Sequence, residues 1–272
     1  MTATRKSDAV FSGSVPEFYE TYLVPLIFEA YAEEIADRVT RLRPHTVMEV
    51  AAGTGVVTRQ LASRLGDNVE IVATDLNQPM LDRASLIGTA RPVEWRQADA
   101  LHLPFPDERF DAVVCQFGVM FFPDRIAAYR EARRVLTPGG MFVFNVWDRI
   151  EENVFTHVVE AAVGEMFPDD PPRFLSRTPH GYHDREVVES ELAHAGFETV
   201  EITTIARSSK AAEARLPAVA FVQGTPLLNE IEARDPSQVE EATRRATSAI
   251  AERFGTGPVE AKIQAHVVVA RR

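Results

Sequence analysis

A single cysteine, Cys115, stands among 272 residues, so no disulfide can form within the chain and a cytoplasmic location is expected. Lysine is nearly as scarce: Lys6, Lys210 and Lys262 are the only three, and the net charge is −11. With no basic block to neutralise phosphates, nucleic acid is excluded as the expected partner. No apolar run approaches the roughly 18 residues of a membrane span. The opening stretch MTATRKSDAVFSG has no apolar core of signal-peptide length. Internal repeats and low-complexity segments are also missing. What is present is ordinary for a globular chain: 45% hydrophobic and 25% charged residues, in a length that suits one α/β domain with sizeable insertions.

The stretch VMEVAAGTGVVT, Val47 to Thr58, organises the rest. Thr46 to Ala51 is a short apolar run that fits a strand buried on both faces. It breaks at Gly53-Thr54-Gly55 and resumes as Val56, Val57, Leu61 and Leu65, a helical spacing. Strand, glycine turn and helix open a nucleotide-type βαβ unit, in which the helix start offers unpaired N–H groups to a ligand. A dinucleotide site usually carries G-x-G-x-x-G, and here the third glycine is replaced by Thr58. Glu49 places a carboxylate before the turn, which opposes a pyrophosphate and favours a ligand with an ammonium group. An NAD(P)-dependent oxidoreductase is therefore the rival reading, opposed by Glu49 and the missing glycine.

Further on, Val69 to Thr74 reads as a second buried strand ending at Asp75. That acid lies about 20 residues beyond the turn, where a carboxylate can accept from both hydroxyls of a ribose. Asn77 to Ile87 reads as a helix with Met80 and Leu81 on its inner side. Val93 to Gln97 is a third strand before Asp99, and Ala112 to Gln116 a fourth before Phe117. A helix over 123–136, a turn at Thr137-Pro138-Gly139-Gly140 and a fifth strand, Met141 to Trp147, complete this half. Short loops between alternating strands and helices imply a mostly parallel sheet. Glu49, Asp75, Asp99 and Gln116 all fall at carboxyl ends of strands, the edge where such sheets bind ligands. Cys115, in mid-strand, reads as a buried, inert thiol. The amphipathic arm 11–40 is expected to be two helices split at Pro25.

These residues resemble the class I S-adenosylmethionine-dependent methyltransferases, in the group of ubiquinone/menaquinone-type small-molecule enzymes. The resemblance rests on E-V-A-A-G-T-G at 49–55, T-D-L-N at 74–77, A-D-A at 98–100, L-P-F-P-D-E-R-F-D-A-V at 103–113 and L-T-P-G-G at 136–140. It implies an α/β, Rossmann-like, mostly parallel seven-stranded sheet with helices on both faces, an antiparallel last strand and helical cap insertions. It also implies S-adenosylmethionine as cofactor, with S-adenosylhomocysteine as product. Glu49, Ala51, Gly53, Thr54 and Gly55 would hold its methionine part, and Gln116 with Phe117 would lie under it. Asp75 would take the ribose, Leu76 would pack on the adenine, and Asp99 with Ala100 would meet its edge; Met80 is a further cofactor-binding candidate. The family more often has glycine where Ala51 stands. The sixth strand is expected at Phe197 to Ile205 and the last at Val259 to Ala270.

One methyltransferase domain over 1–272 is then expected, with 148–183 and 208–258 as cap insertions rather than a separate substrate domain. The acceptor is expected to be a small aromatic or apolar molecule, met by Phe11, Tyr19, Tyr22, Trp147, Phe155 and Phe221. Methyl transfer from a sulfonium is an in-line displacement in which the cofactor supplies the activated carbon and the protein supplies alignment. A base is needed only if the acceptor must lose a proton; His157, His180, His183, Tyr19 and Tyr22 are the candidates. No strong metal-ligand spacing is present. An inactive cofactor-binding partner subunit is the non-enzyme alternative, and a monomer or homodimer is expected.

Overall fold

The structure, a computed structural model, describes residues 15–272, so Phe11 lies outside the described residues. The apolar runs become strands β1 (Thr46–Val50), β2 (Glu70–Asp75), β3 (Glu94–Gln97), β4 (Phe110–Gln116), β5 (Leu136–Trp147), β6 (Thr199–Ala211) and β7 (Val259–Arg271). They form one seven-stranded sheet in the order β3-β2-β1-β4-β5-β7-β6. β1 pairs in parallel with β2 and β4, β2 with β3, and β4 with β5. β7 is the antiparallel strand. Val47, Met48, Val113, Val114 and Cys115 are fully buried, as strands covered on both faces require. Strand order reverses between β1 and β4, which sets a crevice outside their carboxyl ends.

The helices are α1 (Val15–Phe18), α2 (Glu29–Leu42), α3 (Val56–Arg64), α4 (Gln78–Ile87), α5 (Arg125–Val135), α6 (Val154–Gly164), α7 (Phe174–Arg177), α8 (Arg185–His194), α9 (Arg215–Gln223), α10 (Leu227–Glu232) and α11 (Val239–Phe254). Capping sets several starts. Asp124 accepts from the Ala127 amide ahead of α5, and Asp184 from the Glu186 and Val187 amides ahead of α8.

The chain gathers into two compact units. One comprises Glu29–Val146, His183–Ile205 and Ala265–Arg272. In it, α2 packs on α3, and the proline-broken loop 103–109 is held by Arg134. That guanidinium donates to the carbonyls of Leu103 and Phe105 and pairs with Glu131 and Asp107. Asp111 Oδ2 accepts from the amides of His45 and Thr46 and so ties the start of β4 to β1.

The other unit comprises the described part of residues 1–28 with Trp147–Tyr182 and Ala206–Gln264. Three distant stretches of sequence thus share one core: α11 packs on α6 and α9, and α9 on the helical stretch Tyr19–Phe28. Val159, Val163, Ala218, Val222, Ala246 and Ile250 fill it. A largely buried ion pair, Arg177 to Glu230 at 2.9 Å, links α7 to α10.

The elements differ from expectation in several places, among them β6, which runs past Ile205 to Ala211 and into the stretch expected as the 208–258 insertion. Pro25 does not split the arm: Tyr19–Phe28 winds as a π-helix between α1 and α2, and the wider turn tolerates a residue with no N–H to donate. Thr137-Pro138-Gly139-Gly140 is not a separate turn but a bulge inside β5; Phe110 faces Leu136 while Ala112 already faces Met141. β6 begins later, at Thr199, because Phe197 is used elsewhere, its amide bonded to the Leu192 carbonyl and its ring stacked on Phe142.

Candidate cofactor site

The glycine turn follows β1 directly. Ala51 (φ +54°), Gly53 (φ +57°) and Gly55 (φ +85°) all adopt the left-handed conformation. Glycine is required at 55, since a Cβ there would lie 2.8 Å from the Trp95 ring and 3.2 Å from the Ala84 methyl. The turn is pinned to the neighbouring strand: the Ala52 amide donates to the Thr74 carbonyl at 2.9 Å, and the Gly53 amide to Asp75 Oδ2 at 2.8 Å. Thr54 is fully buried, and its Oγ1 has no hydrogen-bond partner among the described residues.

Glu49 is buried at the end of β1, where Thr58 Oγ1 donates to its Oε2 at 2.5 Å. Thr58, which stands where a dinucleotide site has its third glycine, thus supports the acid instead of packing helix on strand. Burial pushes the Glu49 carboxyl up to about 8, against the hydrogen bond from Thr58 and the charge of Arg59, while the charge of Asp75 adds to the rise. The carboxylate inferred from sequence is therefore largely a neutral acid at pH 7 in the unliganded protein. Burial likewise raises Asp75, opposed by the amides of Asn77 and Gly53. The Asn77 amide donates to Asp75 Oδ1 at 2.8 Å, with its side-chain Nδ2 at 3.4 Å, while Oδ2 takes the Gly53 amide and keeps a lone pair for another donor.

Beside Asp75, Leu76 is a large apolar side chain left 51% exposed, although the strand before it is buried. Met80 is buried beneath α4's first turn. After β3, Asp99 is half-buried and accepts from the Leu101 amide at 2.9 Å, and Ala100 is buried. Gln116 ends β4, buried, and Phe117 follows in the left-handed conformation (φ +50°). The turn after β1, Asp75 to Leu76 after β2, Asp99 to Ala100 after β3 and Gln116 to Phe117 after β4 thus occupy the carboxyl ends of four adjacent parallel strands.

The remaining candidates belong to other surroundings. Tyr19 stacks on Phe28 at 4.9 Å, and Tyr22 lies 5.6 Å from Phe18, both half-buried. Tyr22 and Phe18 line a cavity of about 340 Å³ with Leu216, Val219 and Gln223. Trp147 is buried against His180, whose Nδ1 bonds the Asp148 carbonyl at 2.7 Å. Phe155 is fully buried edge-on to Phe254, and Phe221 is buried in α9. His157 is exposed on α6 and His183 half-buried ahead of α8. Among the described residues, no three His, Cys, Asp or Glu side chains are grouped to hold a metal ion. No described helix is long and apolar enough to cross a membrane.

Sequence reasoning passed over three residues that shape this edge, Trp95, Gly118 and Asn145, and read Thr58 only as a missing glycine. A Cβ on Gly118 would lie 2.6 Å from Cys115 Sγ and 2.7 Å from the Ala51 methyl. Asn145 carried a legible signal, an amide inside the apolar run Met141 to Trp147.

A mostly parallel α/β sheet with this strand order, bearing two buried acids around a glycine turn, defines the Rossmann-like methyltransferase class. The methyltransferase domain family matches residues 48–144. Two bacterial relatives are ubiquinone/menaquinone biosynthesis C-methyltransferases UbiE. The one from Enterobacter sp. (strain 638) is 32% identical over 58% of this chain and 68% of its own length. The one from Cupriavidus necator is 34% identical over 59% and 70%. Among solved structures, the YcgJ protein from Bacillus subtilis shares the fold, with a TM-score of 0.56, 18% identity, and coverage of 89% of this chain and 98% of its own. The chain belongs to the class I S-adenosylmethionine-dependent methyltransferases, in the ubiquinone/menaquinone-type group.

It is accordingly a methyltransferase, and its cofactor is S-adenosylmethionine. The donor set agrees with that ligand. Two buried carboxyl groups, each held above its ordinary range by burial, suit a ligand that brings an ammonium group to one and vicinal hydroxyls to the other. The exposed Leu76 offers an apolar face to a flat ring.

Proposed function

We propose that this protein transfers a methyl group from S-adenosylmethionine to a small aromatic or apolar organic acceptor of the phenol or quinol type. The observation carrying the acceptor class is the 32–34% identity to quinone-pathway C-methyltransferases over more than two thirds of their length. Glu49 and the turn 51–55 take the methionine part, Asp75 the ribose hydroxyls, Leu76 and Met80 the adenine face, Asp99 and Ala100 its edge. Gln116 and Phe117 lie under the methionyl chain. The bound cofactor supplies an activated methyl on sulfur; the protein's contribution is alignment, which reduces the entropic part of the barrier.

Acceptor choice resides in residues of 148–183 and 208–258, with Tyr19 and Tyr22. The cavity offers Phe18, Tyr22, Leu216 and Val219 as apolar surface beside the charged Glu213, Arg215 and Glu240, a mixed lining that a ring carrying hydroxyl groups could use. The test is S-adenosylhomocysteine formation with a panel of hydroquinones and phenols against amines and RNA. Turnover confined to amines or RNA overturns the acceptor class. Tyr22→Ala and Leu216→Ala should raise the acceptor KM and leave S-adenosylhomocysteine affinity unchanged.

A further inference from the structure

Asn145 is the one polar side chain in the run Met141 to Trp147, and it is fully buried. It stands opposite Gln116 in the β4–β5 register. Its Oδ1 accepts the Phe117 amide at 2.8 Å, and Phe117 is the residue held at φ +50°. A bulky residue adopts that conformation only where its surroundings enforce it. Two restraints do so. The amide bond to Asn145 fixes the backbone, and the Tyr31 ring meets the Phe117 ring edge-on at 5.4 Å. Tyr31 is itself fully buried and donates its hydroxyl to the Ile205 carbonyl at 2.9 Å. Beyond the reversal, the Gly118 and Val119 amides turn onto Cys115, and Gly118 sits against the Ala51 methyl of the glycine turn.

The amide nitrogen of Asn145 tells the same story from the other side. Among the described residues Nδ2 is buried with no hydrogen-bond partner. An unpaired buried donor is a liability that leucine, of similar size, would remove. Packing alone therefore favours an apolar residue at 145, and what an asparagine adds is the acceptor facing Phe117.

We propose that Asn145 is a positioning residue for the cofactor: through the Phe117 amide it sets the reversal after β4 before binding, so that Gln116 and Phe117 meet the methionyl chain without further ordering. This rests on the reading that Gln116 and Phe117 line the cofactor.

The experiment compares Asn145→Leu and Asn145→Asp with the wild-type chain, using S-adenosylhomocysteine as the calorimetric ligand and amide hydrogen exchange in the unliganded protein. Asn145→Leu trades one orphaned donor, Nδ2, for another, the Phe117 amide, so it should melt near the wild-type temperature, exchange the Phe117 amide faster, and bind roughly tenfold more weakly. Asn145→Asp keeps the acceptor and should restore both protection and affinity. Should the leucine variant not fold, Asn145→Ser, whose hydroxyl is too short to reach, carries the same expectation. Wild-type affinity in a folded leucine or serine variant overturns the proposal, as does an equal loss in Asn145→Asp. Asp75→Ala separates the two readings. If it loses binding while Asn145→Leu does not, only the role of Asn145 fails. If the wild-type chain binds no S-adenosylhomocysteine at all, the cofactor placement itself fails.

Discussion

Cofactor binding should expel a proton from Glu49. Burial holds this carboxyl at about 8 in the unliganded protein, against an ordinary 4.5. At pH 7 roughly nine tenths of the molecules therefore carry a neutral Glu49. A bound ammonium group stabilises the ionised form and draws the carboxyl back down, so about 0.9 proton leaves per cofactor at pH 7 and almost none at pH 9. Ionising Glu49 at pH 7 costs about 1.4 kcal/mol, so affinity should rise roughly tenfold between pH 7 and pH 9 from this group. The linked stability has a definite sign. An acid whose pKa is raised on folding contributes stability that is fully present below pH 4.5 and is lost as pH rises through about 8. The unliganded wild-type chain should accordingly lose melting temperature relative to Glu49→Gln across that window. The assay is calorimetry with S-adenosylhomocysteine at pH 7, in buffers of contrasting ionisation enthalpy. Comparison with Glu49→Gln subtracts any proton lost by the ligand's own amine. Identical proton release from the two proteins would refute the reasoning.

Asp75→Ala should weaken S-adenosylhomocysteine binding by about 1.5–3 kcal/mol, read by calorimetry, because charge-assisted bonds to the ribose are lost. Gly118→Ala should destabilise the fold by about 1–3 kcal/mol in chemical denaturation, since its methyl would meet Cys115 Sγ and the Ala51 methyl. Pairing that change with Ala51→Gly should recover part of the loss, measured as a double-mutant cycle. Glu230→Ala removes the carboxylate paired with Arg177, a side chain only 11% exposed that still donates to Thr178 Oγ1, and should cost about 1–3 kcal/mol in denaturant unfolding.

Most of the fold was legible in the sequence because its signals are local. Apolar runs of strand length, a glycine turn before a 3.6-residue pattern, and Asp124 and Asp184 at helix starts all act within a few residues. The seven-stranded sheet, its antiparallel last strand and the cofactor edge followed from the resemblance carried by Glu49, Gly53, Gly55, Asp75 and Asp99, whereas the strand order came from the fold itself. Pro25 misled because a local rule, that proline breaks a helix, yielded to a wider winding within one helical run. The bulge at Thr137 to Gly140 was read as a turn because the same residues serve both, and only pairing with β4 distinguishes them.

What the tertiary structure alone decided depends on residues far apart in the chain. The ionisation of Glu49 is set by burial, Thr58 and Asp75 together, so no reading of position 49 by itself could supply it. Gly118 is constrained by Ala51 across 67 positions of sequence, and Asn145 acts on an amide 28 residues away. Segments 148–182 and 206–264 share a core because α6, α9 and α11 cover one another's apolar stripes, with Tyr19–Phe28 packed on α9. The sequence by itself determined which elements exist and which chemical groups line the edge, through periodicity and spacing. Folding determined their charge state and backbone conformation, because desolvation and close packing are properties of what the folded chain places around a group.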